Sequence, residues 1–347
     1  MWIENTMALN FPFTAVVGQE EMKLAMILST IDPSIGGVLI FGDRGTGKST
    51  MVRSLAALLP KMQAVDGCIY HCDPLSSHLC TECLALKAAG KKIKSQTIAA
   101  PVVDLPLGAT EDRIVGSLDI EKALSQGIKS YESGLLAKAN RGYLYIDEVN
   151  LLEDHLVDLL IDVAASGENV VERDGLSVRH PAKFVLIGSG NPEEGELRPQ
   201  LLDRFGLSVE VKTPSDVMAR IEIIKRRELF ERDPQAFIDD WADEQQLLQE
   251  KIIAARKRLL KVAISDEVLI QISQLCAHLG ADGLRGELTM MRAIRALCSF
   301  ENVKVANLHV LKKIAPFALR HRLRRDPLDD TGSTVRIERA LAEMFLK

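Results

Sequence analysis

The chain has 347 residues, 47% hydrophobic and 26% charged, which excludes a disordered chain and is too long for one core, since single cores stop growing at about 250–300 residues. Its net charge of −5 gives no overall basic field, so nucleic acid is not an expected partner. No apolar stretch approaches the roughly 20 residues that span a bilayer, and residues 1–10 lack the pattern of a signal peptide, which points to a cytoplasmic protein without a membrane span.

In chain order, the first clear unit is the apolar run Val38-Leu39-Ile40-Phe41, a glycine-rich loop, and then Met51, Leu55, Leu58 and Leu59 at helical spacing: strand, loop, helix. An insertion at about 67–100 follows, carrying Cys68, Cys72, Cys80 and Cys83 as C-x₃-C-x₇-C-x₂-C, with His71 and His78 inside it. Four thiols in sixteen positions admit a tetrahedral Zn²⁺ site, a redox-responsive pair, or a surface insertion with incidental cysteines. A second apolar run, Tyr143-Leu144-Tyr145-Ile146, ends in Asp147-Glu148, and a third, Phe184-Val185-Leu186-Ile187, ends in Gly188-Ser189-Gly190-Asn191-Pro192. Short apolar runs separated by helical segments predict an α/β fold with a buried parallel sheet. A polar stop at Thr213-Pro214-Ser215-Asp216 closes that part. Beyond it Ile252, Ala255, Leu259, Val268, Ile272 and Leu275 recur at helical spacing and predict an all-helical second domain. The division expected is 1–215, 216–330, and a loosely docked tail over 331–347. The basic run Arg320-His321-Arg322-Leu323-Arg324-Arg325 reads as a solvated helix end.

Chemistry concentrates at three of these places. Gly42-Asp43-Arg44-Gly45-Thr46-Gly47-Lys48-Ser49 satisfies G-x-x-x-x-G-K-[ST] between a strand and a helix, the context that distinguishes a phosphate loop from a glycine-rich turn. Its glycines let backbone N–H groups converge on phosphate oxygens, Lys48 offers a charge to the β- and γ-phosphates, Ser49 is a Mg²⁺ ligand, and Thr50 follows it toward the nucleotide. The expected ligand is ATP with Mg²⁺. Asp147, at a strand end, would hold the Mg²⁺, and Glu148 would act as general base on the attacking water. Asn191 would position that water, its bland reading being a turn residue before Pro192.

The order of phosphate loop, acidic strand end, strand-terminal Asn and two later arginines resembles the AAA+ ATPases, and within them the magnesium chelatase I subunit. The resemblance rests on Phe11-Pro12-Phe13 with Val17-Gly18-Gln19-Glu20, on Gly42–Ser49, Val103–Arg113, Asp147–Leu152, Gly188–Gly195, Arg198–Gly206 and Asp282–Glu287. It implies an AAA+ P-loop core with a C-terminal helical lid, assembled as a ring, expected to be hexameric, with ATP between subunits. Arg204 is then the finger reaching a neighbour's γ-phosphate, Arg285 the lid sensor on the subunit's own ATP, and Arg198 a lesser candidate. The implied activity is that of a ligase forming nitrogen–metal bonds: ATP hydrolysis coupled to Mg²⁺ insertion into protoporphyrin IX for chlorophyll or bacteriochlorophyll. The implied partners are the chelatase's D subunit, a second AAA+ protein with an integrin-like domain, and its large porphyrin-binding H subunit. A MoxR-like or cobalt-chelatase-type remodelling ATPase, and a DNA helicase, are the other readings of the bare motifs; the acidic balance makes the helicase the weakest.

Overall fold

The computed structural model describes residues 9–173, 176–191, 197–281, 283–323 and 332–345. Its strands are β1 (Gly37–Gly42), β2 (Met62–Val65), β3 (Ser95–Ile98), β4 (Val102–Leu105), β5 (Gly116–Leu118), β6 (Tyr131–Ser133), β7 (Tyr143–Ile146), β8 (Glu168–Arg173), β9 (Leu176–Pro181), β10 (Val185–Gly190) and β11 (Phe205–Val211). Five of them form one sheet in the order β11-β1-β10-β7-β4, every neighbouring pair parallel. The other six make three two-stranded antiparallel sheets, β2-β3, β5-β6 and β8-β9.

The three apolar runs of the sequence are the three central strands. Both faces of these strands are covered: Val38 and Ile40 belong to one core, and Leu39, Leu144, Ile146 and Leu186 to another on the far side. Continuous apolar runs are what burial on two faces requires. The flanking strands escape such a reading because β11 interleaves Gly206, Ser208 and Glu210 with its apolar residues and β4 is only four residues long. Nor does the third run stop at its glycines. β10 continues through Gly188-Ser189-Gly190, and a Cβ on Gly188 would sit 2.8 Å from the Phe205 ring.

The polar stop before the helical part is a helix start. The Asp216 carboxylate accepts from the N–H groups of Met218 and Ala219 and caps the helix Val217–Arg232. Helices Ala242–Arg258, Asp266–His278, Arg285–Phe300 and Leu308–Leu319 follow, and their apolar faces join Val38 and Ile40 in one continuous core. The C-terminus departs from the expected loose tail. Ser333–Phe345 is a helix with Ile337, Ala340 and Leu341 buried in that same core, the i, i+3, i+4 stripe that docks a helix. The basic run also departs from expectation. Arg320 is 6% exposed and ion-pairs with Glu21, while Arg322 donates to Asp203 and to the Phe205 carbonyl. These side chains fasten the helical part to the start of β11; Arg324 and Arg325 lie outside the described residues.

Candidate active site

β1 delivers the phosphate loop from the interior of the sheet. Gly42 has no alternative there, since a Cβ would stand 2.0 Å from the Val211 carbonyl oxygen. Gly45 and Gly47 adopt φ of +76° and +82° with open space where a side chain would be, so conformation rather than crowding requires glycine at both. Gly47 caps the helix Lys48–Leu55, and the first N–H groups of that helix therefore face the loop. Lys48 Nζ donates to the carbonyls of Gly42 and Asp43, the latter at 2.9 Å, which holds its charge inside the curve of the loop. Gln19 Nε2 braces the loop from outside, donating to the Thr46 carbonyl at 2.9 Å.

Asp147 and Glu148 follow β7, and Asn191 follows β10, so with the loop after β1 all three motifs lie at the carboxyl ends of adjacent strands. Asp147 is tightly held. Its Oδ2 accepts from Ser49 Oγ at 3.1 Å, and its Oδ1 accepts from Tyr145 OH at 2.8 Å and from Ser189 Oγ. Burial raises the pKa of this carboxyl, but hydrogen bonds from Ser189, Tyr145 and Ser49, with the charge of Lys48, offset that and hold it below its ordinary value. An ionised carboxylate beside a serine hydroxyl is an oxygen donor pair that fits Mg²⁺. Glu148 is built differently. It takes φ of +52°, its N–H donates to Ser189 Oγ at 3.3 Å, and its half-exposed carboxylate faces Arg44 at 4.0 Å. Tyr145 and Ser189 carry no motif, yet they position both acidic residues. Asn191 is buried at 9% exposure.

A cleft of about 330 Å³ opens beside the loop, lined by Phe11, Val16, Val17 and Ile223 together with Thr46, Gly47 and Thr50. It is apolar at one end and shares the phosphate loop at the other, the shape a nucleoside base and its phosphates require. Its far wall comes from the helical part, where Arg226 donates to the Ala15 carbonyl at 2.9 Å and stacks 4.6 Å from the Trp241 ring. A larger cavity of about 800 Å³ lies at the opposite end of the sheet, against Gly142, Tyr143 and Val185, and includes none of these residues.

The two arginines lie at that opposite end. Arg204 immediately precedes β11, and its carbonyl accepts from Gly37 N–H at the start of β1. The six residues of β1 separate Arg204 from the phosphate loop of its own chain by roughly 17 Å. Arg285 is beside it, ion-paired with Asp203 and donating to the Asp203 carbonyl at 3.1 Å. The resemblance implies that Arg285 acts on ATP bound by its own subunit, whereas here the lid helix that carries it packs at the end of the sheet opposite the phosphate loop. Arg198 pairs with Asp154 and Asp158. The four cysteines are brought together in the β2-β3 connection, away from the loop.

The comparisons with known proteins match this arrangement over nearly its whole length. The "Magnesium-chelatase 38 kDa subunit" of Acidiphilium rubrum is 61% identical over 96% of this chain and 97% of its own. The chain belongs to the magnesium chelatase I-subunit family. The corresponding protein of Rhodobacter capsulatus is 59% identical over 96% of this chain and 93% of its own, and the magnesium chelatase subunit ChlI of Nostoc is 51% identical over 96% and 90%. Residues 119–200 match the family described as "Magnesium chelatase, subunit ChlI", and residues 269–341 match the "AAA lid domain". Among solved structures, a chain from a complex between magnesium chelatase subunits BchI and BchD is 54% identical with a TM-score of 0.52, covering 96% of this chain and 99% of that one. A "putative ATPase" from Cytophaga hutchinsonii, 17% identical over 96% of this chain and 92% of its own, shares the fold with a TM-score of 0.64. The parallel sheet with its helical lid is thus an AAA+ fold.

Proposed function

We propose that this chain is the ATP-hydrolysing motor of a magnesium chelatase, driving insertion of Mg²⁺ into protoporphyrin IX in (bacterio)chlorophyll synthesis. The observation that carries the proposal is 61% identity over 96% of the chain with a magnesium chelatase 38 kDa subunit, in a chain whose phosphate loop, Asp147 and Glu148 converge at the sheet's carboxyl ends. Residues 1–215 are the nucleotide-binding part and those from 216 on the lid, with the helix Ser333–Phe345 docked as its last element.

Within one subunit, the base enters the cleft of Phe11, Val17 and Ile223, and the phosphates meet the N–H groups of the loop and Lys48. Ser49 and Asp147 would hold the Mg²⁺ of the nucleotide, which there neutralises charge on the phosphate oxygens. Glu148, its backbone held by the N–H bond to Ser189, takes the proton of the attacking water, and Asn191 orients that water. Arg204 and Arg285 are too far from this site to act on it, so we assign them to the ATP of a neighbour, where a fixed positive charge stabilises the transition state. That assignment requires a ring, which we take to be a hexamer. A BchD-type AAA+ protein with an integrin-like domain is the partner suggested by the BchI–BchD relative, and a separate porphyrin-binding protein supplies the substrate. We place the work in the cytoplasm.

Reconstitution tests the function directly: the chain with its integrin-domain and porphyrin-binding partners, protoporphyrin IX, Mg²⁺ and ATP, followed by the absorbance of the metalloporphyrin. No product with partners that are active alongside a known 38 kDa subunit would remove the chelatase reading.

A further inference from the structure

Residues 66–94 connect β2 to β3, and four of the six cysteines lie within them. Their sulfurs all lie within 4.8 Å of one another, with Cys72, Cys80 and Cys83 buried and Cys68 partly so. The separations have a chemical meaning. Four thiolates at a Zn–S distance of about 2.3 Å occupy the corners of a tetrahedron with edges of about 3.8 Å, and Cys68 Sγ is 3.8 Å from Cys80 Sγ. Cys80 N–H points at Cys72 Sγ at 3.2 Å, a backbone donor of the kind that stabilises a ligating thiolate. Cys80 also caps the helix Thr81–Ala88, and Cys83 lies in its first turn, so two of the sulfurs sit at the positive end of that helix.

The irregular first half of the motif has a local cause. Gly67 at φ +73° and His71 at φ +49° both take left-handed conformations, and His71 N–H donates to the Cys68 carbonyl at 3.1 Å, folding Cys72 back toward Cys68. The two histidines are not part of the cluster. The core around it is small: besides the three buried cysteines it holds Val65, Tyr70, Leu79 and Ala137. A connection of this length with so few apolar groups needs a further staple to hold one shape. Incidental cysteines would have no reason to converge as four, a thiol switch needs only two, and a multi-iron cluster would spread the sulfurs around more than one metal.

We propose that Cys68, Cys72, Cys80 and Cys83 bind one Zn²⁺ per chain in a closed, structural all-thiolate site. All four positions are taken by protein, so the site leaves no coordination position for a substrate. What it stabilises is the seat of the connection on the loop before β7. Asn140 Nδ2 donates to the Tyr70 carbonyl at 2.6 Å, and Arg141 donates to the Gln63 and His71 carbonyls at 2.6 and 3.0 Å and to Asp73 at 3.1 Å. The metal orders residues that hold the near end of the strand whose far end carries Asp147.

The site stands apart from the ATPase reading and is tested without it. Protein purified under reducing conditions, with neither added metal nor chelator, is analysed by elemental mass spectrometry, together with Cys80→Ser and, as control, Cys276→Ser from the helical core. One equivalent of zinc in the parent and the control, falling below about a tenth in Cys80→Ser, is the expected result. Should Cys80→Ser not fold, the native chain is titrated with an organomercurial in the presence of a chromogenic zinc chelator, and zinc leaves in step with four thiols. Zinc well below one equivalent in the parent, iron in its place, or disulfides among the four cysteines in metal-free protein would each overturn the proposal.

Discussion

Two neighbouring carboxylates at the end of one strand are given different tasks by what touches them. Asp147 accepts from three hydroxyls and is held ionised, whereas Glu148, turned by its left-handed backbone, keeps an open carboxylate. Glu148→Gln is therefore expected to bind ATP with near-parental affinity while losing on the order of 10²–10⁴ in kcat, the usual worth of a general base. Tyr145→Phe removes a hydroxyl that holds Asp147 but nothing that performs chemistry. Its expected mark is a severalfold higher Mg²⁺ requirement at a kcat within about threefold of the parent, read from ATPase rates across a magnesium titration; an unchanged requirement would remove Tyr145 from the site. The phosphate loop and the acidic pair are legible in the sequence because each chemical role sits in consecutive residues. Tyr145 and Ser189 are not, because a tyrosine or serine inside an apolar strand looks like packing until β7, β10 and the helix Lys48–Leu55 are laid side by side.

At the scale of elements, the telling feature is the end of the sheet where β11 begins. Asp203 receives Arg285 and Arg322 from two parts of the lid, and His321 and Arg322 both reach the Phe205 carbonyl, so the lid is clasped to the end opposite the phosphate loop. Asp203→Ala leaves Arg322, 8% exposed at its side chain, without its carboxylate. The expected loss is about 2 kcal/mol in a urea melt, the scale of a hydrogen bond to a charged group with its partner left buried. Arg204 is not held in this clasp, and its Nε has no hydrogen-bond partner among the described residues. Arg204→Ala rings should be inactive as ATPases, and so should Glu148→Gln rings, but mixing the two should restore part of the rate, because some interfaces then pair an intact Glu148 with an intact Arg204. Mixtures that stay as dead as their parents would place Arg204 outside the neighbour's site. The segment around Arg204 is conspicuous in the sequence, but its position is not, since the alternating polar residues of β11 conceal an edge strand of the parallel sheet.

For the molecule as a whole, one core runs from the sheet into the helical part, and its seam contains a group that titrates. His321 is partly buried there, its Nε2 donating to the Phe205 carbonyl at 2.9 Å between Arg320 and Arg322. Burial, and then the charges of Arg322 and Arg320, push its pKa down to about 3. In the unfolded chain the same imidazole takes up a proton near about pH 6.5. Between these limits the unfolded state binds a proton that the folded state refuses, so stability is full above about pH 6.5 and is lost as pH falls toward about 3, at about 1.4 kcal/mol per pH unit once the slope is established. His180, lowered by burial between the β8-β9 hairpin and Tyr70, adds a second contribution of the same sign. Urea midpoints at about pH 7 and pH 5 should therefore differ more for the parent than for His321→Gln, which can keep a donor toward Phe205 but cannot titrate. An equal difference in the two proteins would mean that the seam opens before His321 is protonated, and that the lid and the sheet do not unfold as one unit.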